Sequence, residues 1–316
     1  MPIGDPLRNA VAFAVEEKML FPALLAASRI AEICPRRDFD ILIASTSTLN
    51  VPAEFKAVGI RNIVIDAEKD IRDAGLKTGI LPAASYLRLW LPGQLAARYG
   101  RVLYLDADIY PLAGDLSRLL QTDLGGHAIG AVLDLAQWMQ PDAAVHDHQR
   151  YGNPVTRYFN SGVMLIDVSL YNQQDVLGRI VARHRRGVDS PFHDQALLNL
   201  VLKGEIAVLS PVWNWHWANH FPLMTRLARP HLVHFAGRTK PWHAHKRPTR
   251  YPAALIEEYS RFFDEYAAPL AFKTERRGGL REDWNDRTWN LVHQMRIWPQ
   301  HRRNLRQFPD PYRVLC

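Results

Sequence analysis

Short apolar runs alternate with segments of helical periodicity along most of this chain. Runs bounded by turn residues are typical of buried strands, and apolar residues three and four positions apart indicate helices packed on a sheet. The predicted strands lie at residues 10–15, 39–44, 62–65, 101–110, 128–133, 158–168, 206–209 and 231–235. The predicted helices lie at residues 19–33, 52–58, 83–91, 169–186 and 193–202. This alternation predicts an α/β fold with a mostly parallel sheet flanked by helices.

The predicted boundaries depend on single residues. Pro92 is expected to end the helix at 83–91, and Ser169 is a candidate N-cap for the helix at 169–186. Residues 134–157 are polar and are predicted to form a loop region. Beyond residue 250 the pattern changes to two amphipathic helices, at 253–272 and 284–298, joined by a charged segment. We therefore expect a catalytic domain at 1–250 and a basic helical extension at 251–316.

The composition permits a large core and suggests acidic partners. Of the 316 residues, 47% are hydrophobic and 22% charged, and the formal net charge is +7. Two distant cysteines, Cys34 and Cys316, predict neither a disulfide framework nor a zinc site and fit a reducing compartment. The first residues lack a secretory pattern, and no window approaches 18 consecutive apolar residues. We therefore expect a cytoplasmic protein without a transmembrane helix.

One predicted strand runs directly into two aspartates. In LYLDADIYP, Leu103 and Leu105 belong to the apolar run that precedes Asp106 and Asp108. Because unpaired charge inside a sheet is costly, both carboxylates are expected at the end of the strand. Ligands of open α/β sheets bind at such ends, and two carboxylates there suit Mg²⁺ or Mn²⁺. The alternative interpretation is a pair of solvated turn aspartates.

A second candidate segment, HLVHFAGRTKPWH, combines a short strand with a glycine-containing loop. His234 offers a neutral imidazole as a ligand for the same metal. Gly237 permits close approach of the backbone to a phosphate, and Lys240 offers a point charge for a diphosphate. A histidine satisfied within the core is the alternative for His234.

Two further segments place polar side chains next to apolar patterns. In FNSGVMLIDV, Asn160 and Ser161 precede Gly162, a strand glycine that marks either a bulge or the close approach of a ligand or another backbone. In FHDQALLN, Asp194 and Gln195 fall in the first turn of a helix. There they either face the hydroxyls of a sugar or serve the start of the helix.

The order and spacing of these four segments resemble glycosyltransferase family 8, the retaining family that includes bacterial lipopolysaccharide galactosyl- and glucosyltransferases. The resemblance covers residues 10–245 and implies a GT-A fold, a bound Mn²⁺ or Mg²⁺ and usually a UDP-sugar donor. It implies that the metal ligands are Asp106, Asp108 and His234. It implies donor-sugar contacts at Arg88, Asp134, Asn160, Ser161, Asp194 and Gln195. It implies nucleotide or diphosphate contacts at Ala14, Glu16, Asp106, Ala107, Gly237 and Lys240.

The segment after the first strand departs from the family pattern. Many bacterial relatives carry an Ala-Ala-Asp-Asp-Asn type of segment where uridine lies, whereas this chain has AVEEK at residues 14–18. Glu16 still offers an acceptor for the base, but Lys18 replaces a neutral amide. GDP-sugars are therefore the alternative to UDP-sugars.

The resemblance predicts a retaining, metal-dependent transfer of a hexose from UDP-glucose or UDP-galactose to a saccharide acceptor in lipopolysaccharide or cell-surface glycan synthesis. The family position at the anomeric carbon holds the amide Gln195, and Asp194 is the nearest carboxylate, so we expect same-face substitution without a covalent intermediate. The alternatives are a metal-dependent phosphohydrolase or nucleotidyltransferase, a nucleic-acid-binding protein using the basic tail, and a catalytically inactive binding module. No nucleic acid is expected among the partners.

The acceptor side is less determined. The aromatic segment WNWHWANHF, at residues 213–221, is either an acceptor-side wall or core packing. The tail combines Trp and Arg, as in Trp289, Trp298, Arg302 and Arg303. Such a basic amphipathic segment predicts peripheral contact with the inner face of a membrane that carries a glycolipid acceptor. A helical tail packed on the domain, with a solvated charged face, is the alternative.

Overall fold

The computed structural model describes residues 7–76, 83–139, 145–152, 157–188, 190, 193–217, 222–237, 240–242, 251–266 and 280–316. Its strands are β1 Arg8–Ala14, β2 Phe39–Ser45, β3 Ile60–Val64, β4 Tyr99–Leu105, β5 Ile109–Pro111, β6 Ile129–Leu133, β7 Phe159–Asp167, β8 Ala207–Val208, β9 Trp215–His216 and β10 Leu232–His234. Its α-helices are α1 Leu20–Ile33, α2 Ala53–Ala57, α3 Glu68–Asp73, α4 Ala83–Leu95, α5 Leu116–Leu120, α6 Leu135–Met139, α7 His146–Arg150, α8 Val168–Gln173, α9 Val176–Arg185, α10 His193–Leu202, α11 Pro222–Ala228, α12 Ala253–Tyr266 and α13 Leu280–Leu305.

A seven-stranded sheet forms the centre of the fold, in the order β3-β2-β1-β4-β7-β6-β8. Its neighbouring strands pair in parallel, except that β7 is antiparallel to both β4 and β6. A second sheet has the order β5-β10-β9, with β10 antiparallel to β5 and parallel to β9. The predicted α/β class with a mostly parallel, helix-flanked sheet is confirmed.

The core lies on both faces of the central sheet. Along β1, Val11 and Phe13 belong to one apolar cluster, and Ala10 and Ala12 belong to the other. All four side chains are fully buried. Helices therefore cover both faces, which explains why the strands are continuous apolar runs rather than alternating ones.

The antiparallel direction of β7 determines where the site can form. Phe13 of β1 lies opposite Leu105 of β4. Leu105 in turn lies opposite Val163 of β7. The carboxyl ends of β1 and β4 therefore meet the first residues of β7 at one edge of the sheet. The Asp106 amide donates to the Gly162 carbonyl across that edge at 2.8 Å.

Several predicted boundaries were wrong. Pro92 lies inside α4, because the buried side chains of that helix outweigh the local penalty of proline. The helix predicted at 169–186 is two helices, α8 and α9. Asp167, not Ser169, caps α8 by accepting a hydrogen bond from the Leu170 amide at 2.9 Å. Asp175, in a left-handed conformation, caps α9.

Two other predicted segments are divided in the structure. The strand predicted at 101–110 stops at Leu105, turns at the two aspartates and resumes as β5 in the second sheet. The loop predicted at 134–157 contains α6 and α7. The polar composition of this segment gave no helical pattern from which these short helices could be predicted. Residues 140–144 and 153–156 of the same segment lie outside the described ranges.

The described part of the C-terminal extension packs on the rest of the chain. Glu258 of α12 forms an ion pair with Arg29 of α1 at 2.7 Å. Helix α13 contacts α6 and α11, and Leu315 forms a β-bridge with Val208. Among the described helices, none has the length and hydropathy needed to cross a bilayer. The domain boundary at residue 250 stays a prediction.

Candidate active site

Strand pairing brings the two aspartates and His234 together. Asp106 and Asp108 lie in the turn between β4 and β5, and β5 pairs with β10 so that Ile109 is opposite His234. The Phe235 amide donates to the Asp108 carbonyl at 3.0 Å and extends this pairing. One ligand atom from each of Asp106, Asp108 and His234 lies within 4.8 Å of the others. The three side chains that the sequence proposed as ligands are thus close enough to hold one cation.

A chain of hydrogen bonds that begins at the Gly162 backbone amide places a proton on Nδ1 of His234. The Gly162 amide donates to Asn160 Oδ1 at 3.0 Å, so this atom is an acceptor, and Asn214 Nδ2 also donates to it at 2.8 Å. Asn214 Oδ1 then accepts from His234 Nδ1 at 3.0 Å. A protonated Nδ1 leaves the Nε2 lone pair of a neutral imidazole available.

The donor set fits a divalent cation. His234 Nε2 lies 3.2 Å from Asp108 Oδ1 and 3.9 Å from Asp106 Oδ2. Two carboxylates and one imidazole with a free lone pair form a mixed oxygen and nitrogen set, which suits Mn²⁺ and also accepts Mg²⁺. The described residues could therefore hold such an ion, and the identity of the ion stays a prediction.

The ring of His234 leaves no space for a side chain at position 162. A Cβ atom on Gly162 would lie 2.4 Å from His234 Cε1, closer than any side chain permits. The pairing of β6 with β7 is also irregular here, between Met164 and Phe159. The irregular register supports a bulge at this glycine. The group that approaches Gly162 closely is the imidazole of His234.

Arg88 balances two carboxylates at the same edge. Its guanidinium lies 2.8 Å from Asp106 and 3.2 Å from Asp194, and it donates to the carbonyl and hydroxyl of Ser161 at 3.2 Å each. It also lies over the Tyr104 ring, 4.7 Å from its centroid. Burial alone would lower the pKa of Arg88, but the charges of Asp106 and Asp194 raise it further above its usual range. Arg88 is thus permanently cationic in a buried position.

Lys240 balances the other aspartate. Its ammonium donates to Asp108 Oδ2 and, at 2.8 Å, to the Phe235 carbonyl. Burial raises the pKa of the Asp108 carboxyl, but the Lys240 ammonium and, while no metal is bound, a protonated His234 lower it well below its usual range through charge and hydrogen bonds. Gly237 has φ +95°, a conformation that favours glycine, and no atom of the described residues would crowd a Cβ atom there. Residues 238 and 239 lie outside the described ranges.

The polar residues of β7 and α10 form one hydrogen-bond network. Asn160 Nδ2 and the Ser161 amide donate to Gln195 Oε1 at 3.0 and 3.2 Å. Gln195 Nε2 donates to Asp134 Oδ2 at 3.4 Å, and Ser161 Oγ donates to Asp194 Oδ2 at 3.4 Å. Burial raises the pKa of both carboxyls, Asp134 and Asp194. The structure thus brings together the side chains proposed for the donor sugar, and their roles stay predictions.

The residues proposed for the nucleotide lie at the same edge of the sheet. Ala14 ends β1, next to β4, and Ala107 is buried between the two aspartates. Glu16 follows β1 and forms an ion pair with Lys18 at 3.2 Å. These positions are compatible with a nucleotide at this edge, and its base stays a prediction.

The aromatic segment at residues 213–217 mainly belongs to the core. Trp213 and Trp215 are fully buried, which favours core packing over an acceptor-side wall for these two rings. Asn214, between them, connects Asn160 with His234 through its side-chain amide. His216 lies with its ring 5.2 Å from that of His234, and burial lowers its pKa to about 3. Only the parallel pairing of β9 with β10 reveals this contact.

The sequence was compared with protein families and with known proteins. The sequence profile of "Glycosyl transferase family 8" matches residues 10–246. General stress protein A of Bacillus subtilis (strain 168) is 27% identical over 65% of this chain and 72% of that protein. Lipopolysaccharide 1,2-glucosyltransferase of Escherichia coli (strain K12) is 30% identical over 52% of this chain. That match spans 51% of the transferase, so about half of its length is compared.

Solved structures share the fold. The galactosyltransferase LgtC, in complex with donor and acceptor sugar analogues, has a TM-score of 0.61 and 23% identity over 81% of this chain and 95% of LgtC. The bifunctional glycosyltransferase WbbM has a TM-score of 0.61 and 19% identity over 86% of this chain and 53% of WbbM. These likenesses support a GT-A type of fold. Since the family profile matches most of its length, the chain belongs to glycosyltransferase family 8 and is a glycosyltransferase.

Proposed function

We propose that this enzyme transfers a hexose from a UDP-sugar to a saccharide acceptor, with a divalent metal and with retention of anomeric configuration. UDP-glucose and UDP-galactose are the proposed donors. The observation that carries the proposal is the convergence of Asp106, Asp108, His234, Arg88 and Lys240 at one edge of the sheet. Carboxylates for a cation and cations for a diphosphate are the two requirements of a nucleotide-sugar site.

The metal is proposed to be Mn²⁺, with Mg²⁺ as the alternative, held by Asp106, Asp108 and His234. When bound, the cation neutralises negative charge that develops on the departing diphosphate. Lys240 adds a second positive charge next to Asp108, and the Gly237 backbone, free of a Cβ atom, allows a phosphate to approach. Ala14, Glu16 and Ala107 are the proposed nucleotide contacts, with uracil as the base.

Retention is proposed to proceed by same-face substitution. Asp194 is the nearest carboxylate to Gln195 in the chain, but its Oδ2 is engaged by Arg88 at 3.2 Å and by Ser161 at 3.4 Å. A carboxylate stabilised by a buried guanidinium is a poor nucleophile. Gln195 then orients the donor sugar and provides an amide dipole next to the anomeric carbon. A glycosyl adduct trapped on Asp194 and detected by mass spectrometry would contradict this pathway.

The direct test is thermal unfolding of the purified protein with UDP-glucose, UDP-galactose or GDP-mannose, each with Mn²⁺, Mg²⁺ or EDTA. A ligand that binds only the folded state raises the unfolding temperature. We expect a UDP-sugar to raise it with Mn²⁺ and not with EDTA, and Asp108→Asn to abolish the shift. A larger shift with GDP-mannose would replace the proposed nucleotide, and a shift that persists in EDTA would contradict the metal.

The proposed acceptor is a glycolipid at the inner face of a membrane, in lipopolysaccharide or cell-surface glycan synthesis, and the enzyme is proposed to be cytoplasmic. Two of the similar proteins carry lipopolysaccharide glycosyltransferase names. Helix α13 exposes Leu291, Val292 and Met295, which are 46%, 62% and 65% accessible. Arg302 and Arg303 on the same helix are exposed and complement an anionic surface.

Liposome flotation tests this membrane contact. The full chain is compared with a variant that carries Leu291→Ser, Val292→Ser and Met295→Ser, using vesicles with and without anionic lipid. We expect the full chain to float with anionic vesicles and the variant to remain at the bottom. Equal flotation of both proteins would contradict a role for this face.

A further inference from the structure

Tyr104, near the end of β4, has a hydroxyl group in the core that the proposed function does not yet use. Its neighbours in the central sheet are Ala12 of β1 and Met164 of β7, and all three side chains belong to the same apolar cluster. The Tyr104 side chain is fully buried. Burial of a hydroxyl group costs free energy unless a hydrogen bond compensates for it, so this hydroxyl needs a partner inside the protein.

The partner of this hydroxyl is Asp106, one of the three proposed metal ligands. The Tyr104 hydroxyl donates to Asp106 Oδ1 at 2.7 Å, and Arg88 Nη2 lies 2.8 Å from the same oxygen. A carboxylate oxygen has two lone pairs, so these two donors satisfy Oδ1. The other oxygen, Oδ2, lies 3.9 Å from His234 Nε2. Asp106 therefore offers Oδ2 to a cation, while the protein holds Oδ1.

The two donors to Oδ1 differ in how they are shared. Arg88 also contacts Asp194 and Ser161, so its guanidinium is divided among several partners. The Tyr104 hydroxyl has one proton, and it donates that proton to Asp106. The ring of Tyr104 has little freedom to move, because paired strands lie on both sides of it and the Arg88 guanidinium lies 4.7 Å from its centroid. Tyr104 thus gives Asp106 a rigid hydrogen-bond donor.

We propose that Tyr104 is a positioning residue that fixes the orientation of the Asp106 carboxylate, so that Oδ2 is available to a cation shared with Asp108 and His234. This inference rests on the proposed metal site. Hydrogen-bond partners of metal ligands orient those ligands, and their removal typically weakens metal binding about 10- to 100-fold. Because Tyr104 is fully buried, it acts through Asp106 and touches neither the cation nor the donor.

Calorimetric titration of the full-length protein with Mn²⁺ alone tests this role. Tyr104→Phe removes only the donor hydroxyl and should weaken Mn²⁺ binding about tenfold. Tyr171→Phe is the matched control, because Tyr171 is a buried tyrosine of the same apolar cluster whose hydroxyl donates to the Leu89 carbonyl at 2.9 Å. Each variant loses one buried hydrogen bond, so both should lose similar stability in urea. We expect Tyr171→Phe to bind Mn²⁺ as tightly as the unchanged protein.

A second variant separates positioning from packing. 4-Fluorophenylalanine at position 104 fills the space of the hydroxyl group but cannot donate a hydrogen bond. If Tyr104 orients Asp106, this variant should bind Mn²⁺ as weakly as Tyr104→Phe, and it serves as the test if Tyr104→Phe does not fold. Mn²⁺ binding as tight as in the unchanged protein would leave Tyr104 with a packing role and overturn the inference.

The titrations also show which proposal fails. If the unchanged protein binds no Mn²⁺, the proposed metal site fails, and the positioning role of Tyr104 fails with it. If the unchanged protein binds Mn²⁺ and Tyr104→Phe binds it equally well, only the positioning role fails.

Discussion

The two aspartates of the site are balanced by cations that are held in different ways. Arg88, on α4, is 9% accessible and contacts Asp106, Asp194 and Ser161. Lys240 follows β10 and, among the described residues, contacts the carboxylate of Asp108 and one backbone carbonyl. A guanidinium whose donors are satisfied by the protein is part of the scaffold, whereas an ammonium with one carboxylate can exchange it for a phosphate. We call these two parts the Arg88 half and the Lys240 half.

The largest expected effect is on activity, from Asp108→Asn in the Lys240 half. An amide keeps the size of the side chain but removes the negative charge next to Lys240 and at the proposed metal site. We expect UDP-sugar turnover in Mn²⁺ to fall at least about a thousandfold, as when one main electrostatic group is lost. Asp38→Asn, on the exposed surface, is the control and should leave turnover unchanged. Turnover above about a tenth of the original would contradict a metal ligand at this position.

The next effect is on stability, from Arg88→Met in the Arg88 half. Removal of the guanidinium leaves the buried Asp194 and the half-buried Asp106 without their cation. We expect the free energy of unfolding, measured in urea, to fall by about 3–4 kcal/mol. Arg72→Met is the matched control, because Arg72 is also a helical arginine but it and its partner Glu68 are exposed, at 63% and 51%. That variant should lose only about 1 kcal/mol, and equal losses would remove the distinction between a fixed and an exchangeable half.

A third variant tests where the two halves meet. Gly162→Ala places a methyl group 2.4 Å from His234 Cε1 and forces the imidazole to move, while the contacts of Arg88 can remain. We expect a loss of about 2 kcal/mol in stability, as for overpacking, and weaker binding of Mn²⁺ by calorimetry. Gly93→Ala is the control, since the nearest atom to its Cβ would be at an ordinary 3.6 Å. Unchanged Mn²⁺ binding in Gly162→Ala would show that His234 is not a ligand.

The sequence predicted the components of the two halves better than their arrangement. Asp106, Asp108 and Lys240 stand in short motifs whose chemistry is local, so the chain itself indicates a metal and a phosphate. The direction of β7 is different, because an apolar run has the same pattern in a parallel and in an antiparallel strand. That direction brings Asn160 to the same edge as Asp106, and only strand pairing reveals it.

Residues that act through other residues were the hardest to predict. Asn214 stands between two tryptophans, and its neighbours suggested core packing, yet its amide connects Asn160 with His234. Tyr104 lies within an apolar run, whose pattern indicates only burial, yet its hydroxyl donates to Asp106. Such roles depend on hydrogen-bond polarity, which a sequence pattern does not contain.

The smallest expected effect is on donor affinity, from Lys240→Met, and it tests whether the Lys240 half exchanges its partner. If the ammonium leaves Asp108 for the diphosphate, its loss should weaken UDP binding in Mn²⁺ about tenfold, the effect of one charge-assisted hydrogen bond. Lys69→Met is the control, because that exposed lysine pairs with Asp73 on its own helix. Stability should fall less than in Arg88→Met, since only one carboxylate loses a partner. If UDP binds equally well to Lys240→Met while stability falls as far as in Arg88→Met, Lys240 is also part of the scaffold, and another cation must contact the diphosphate.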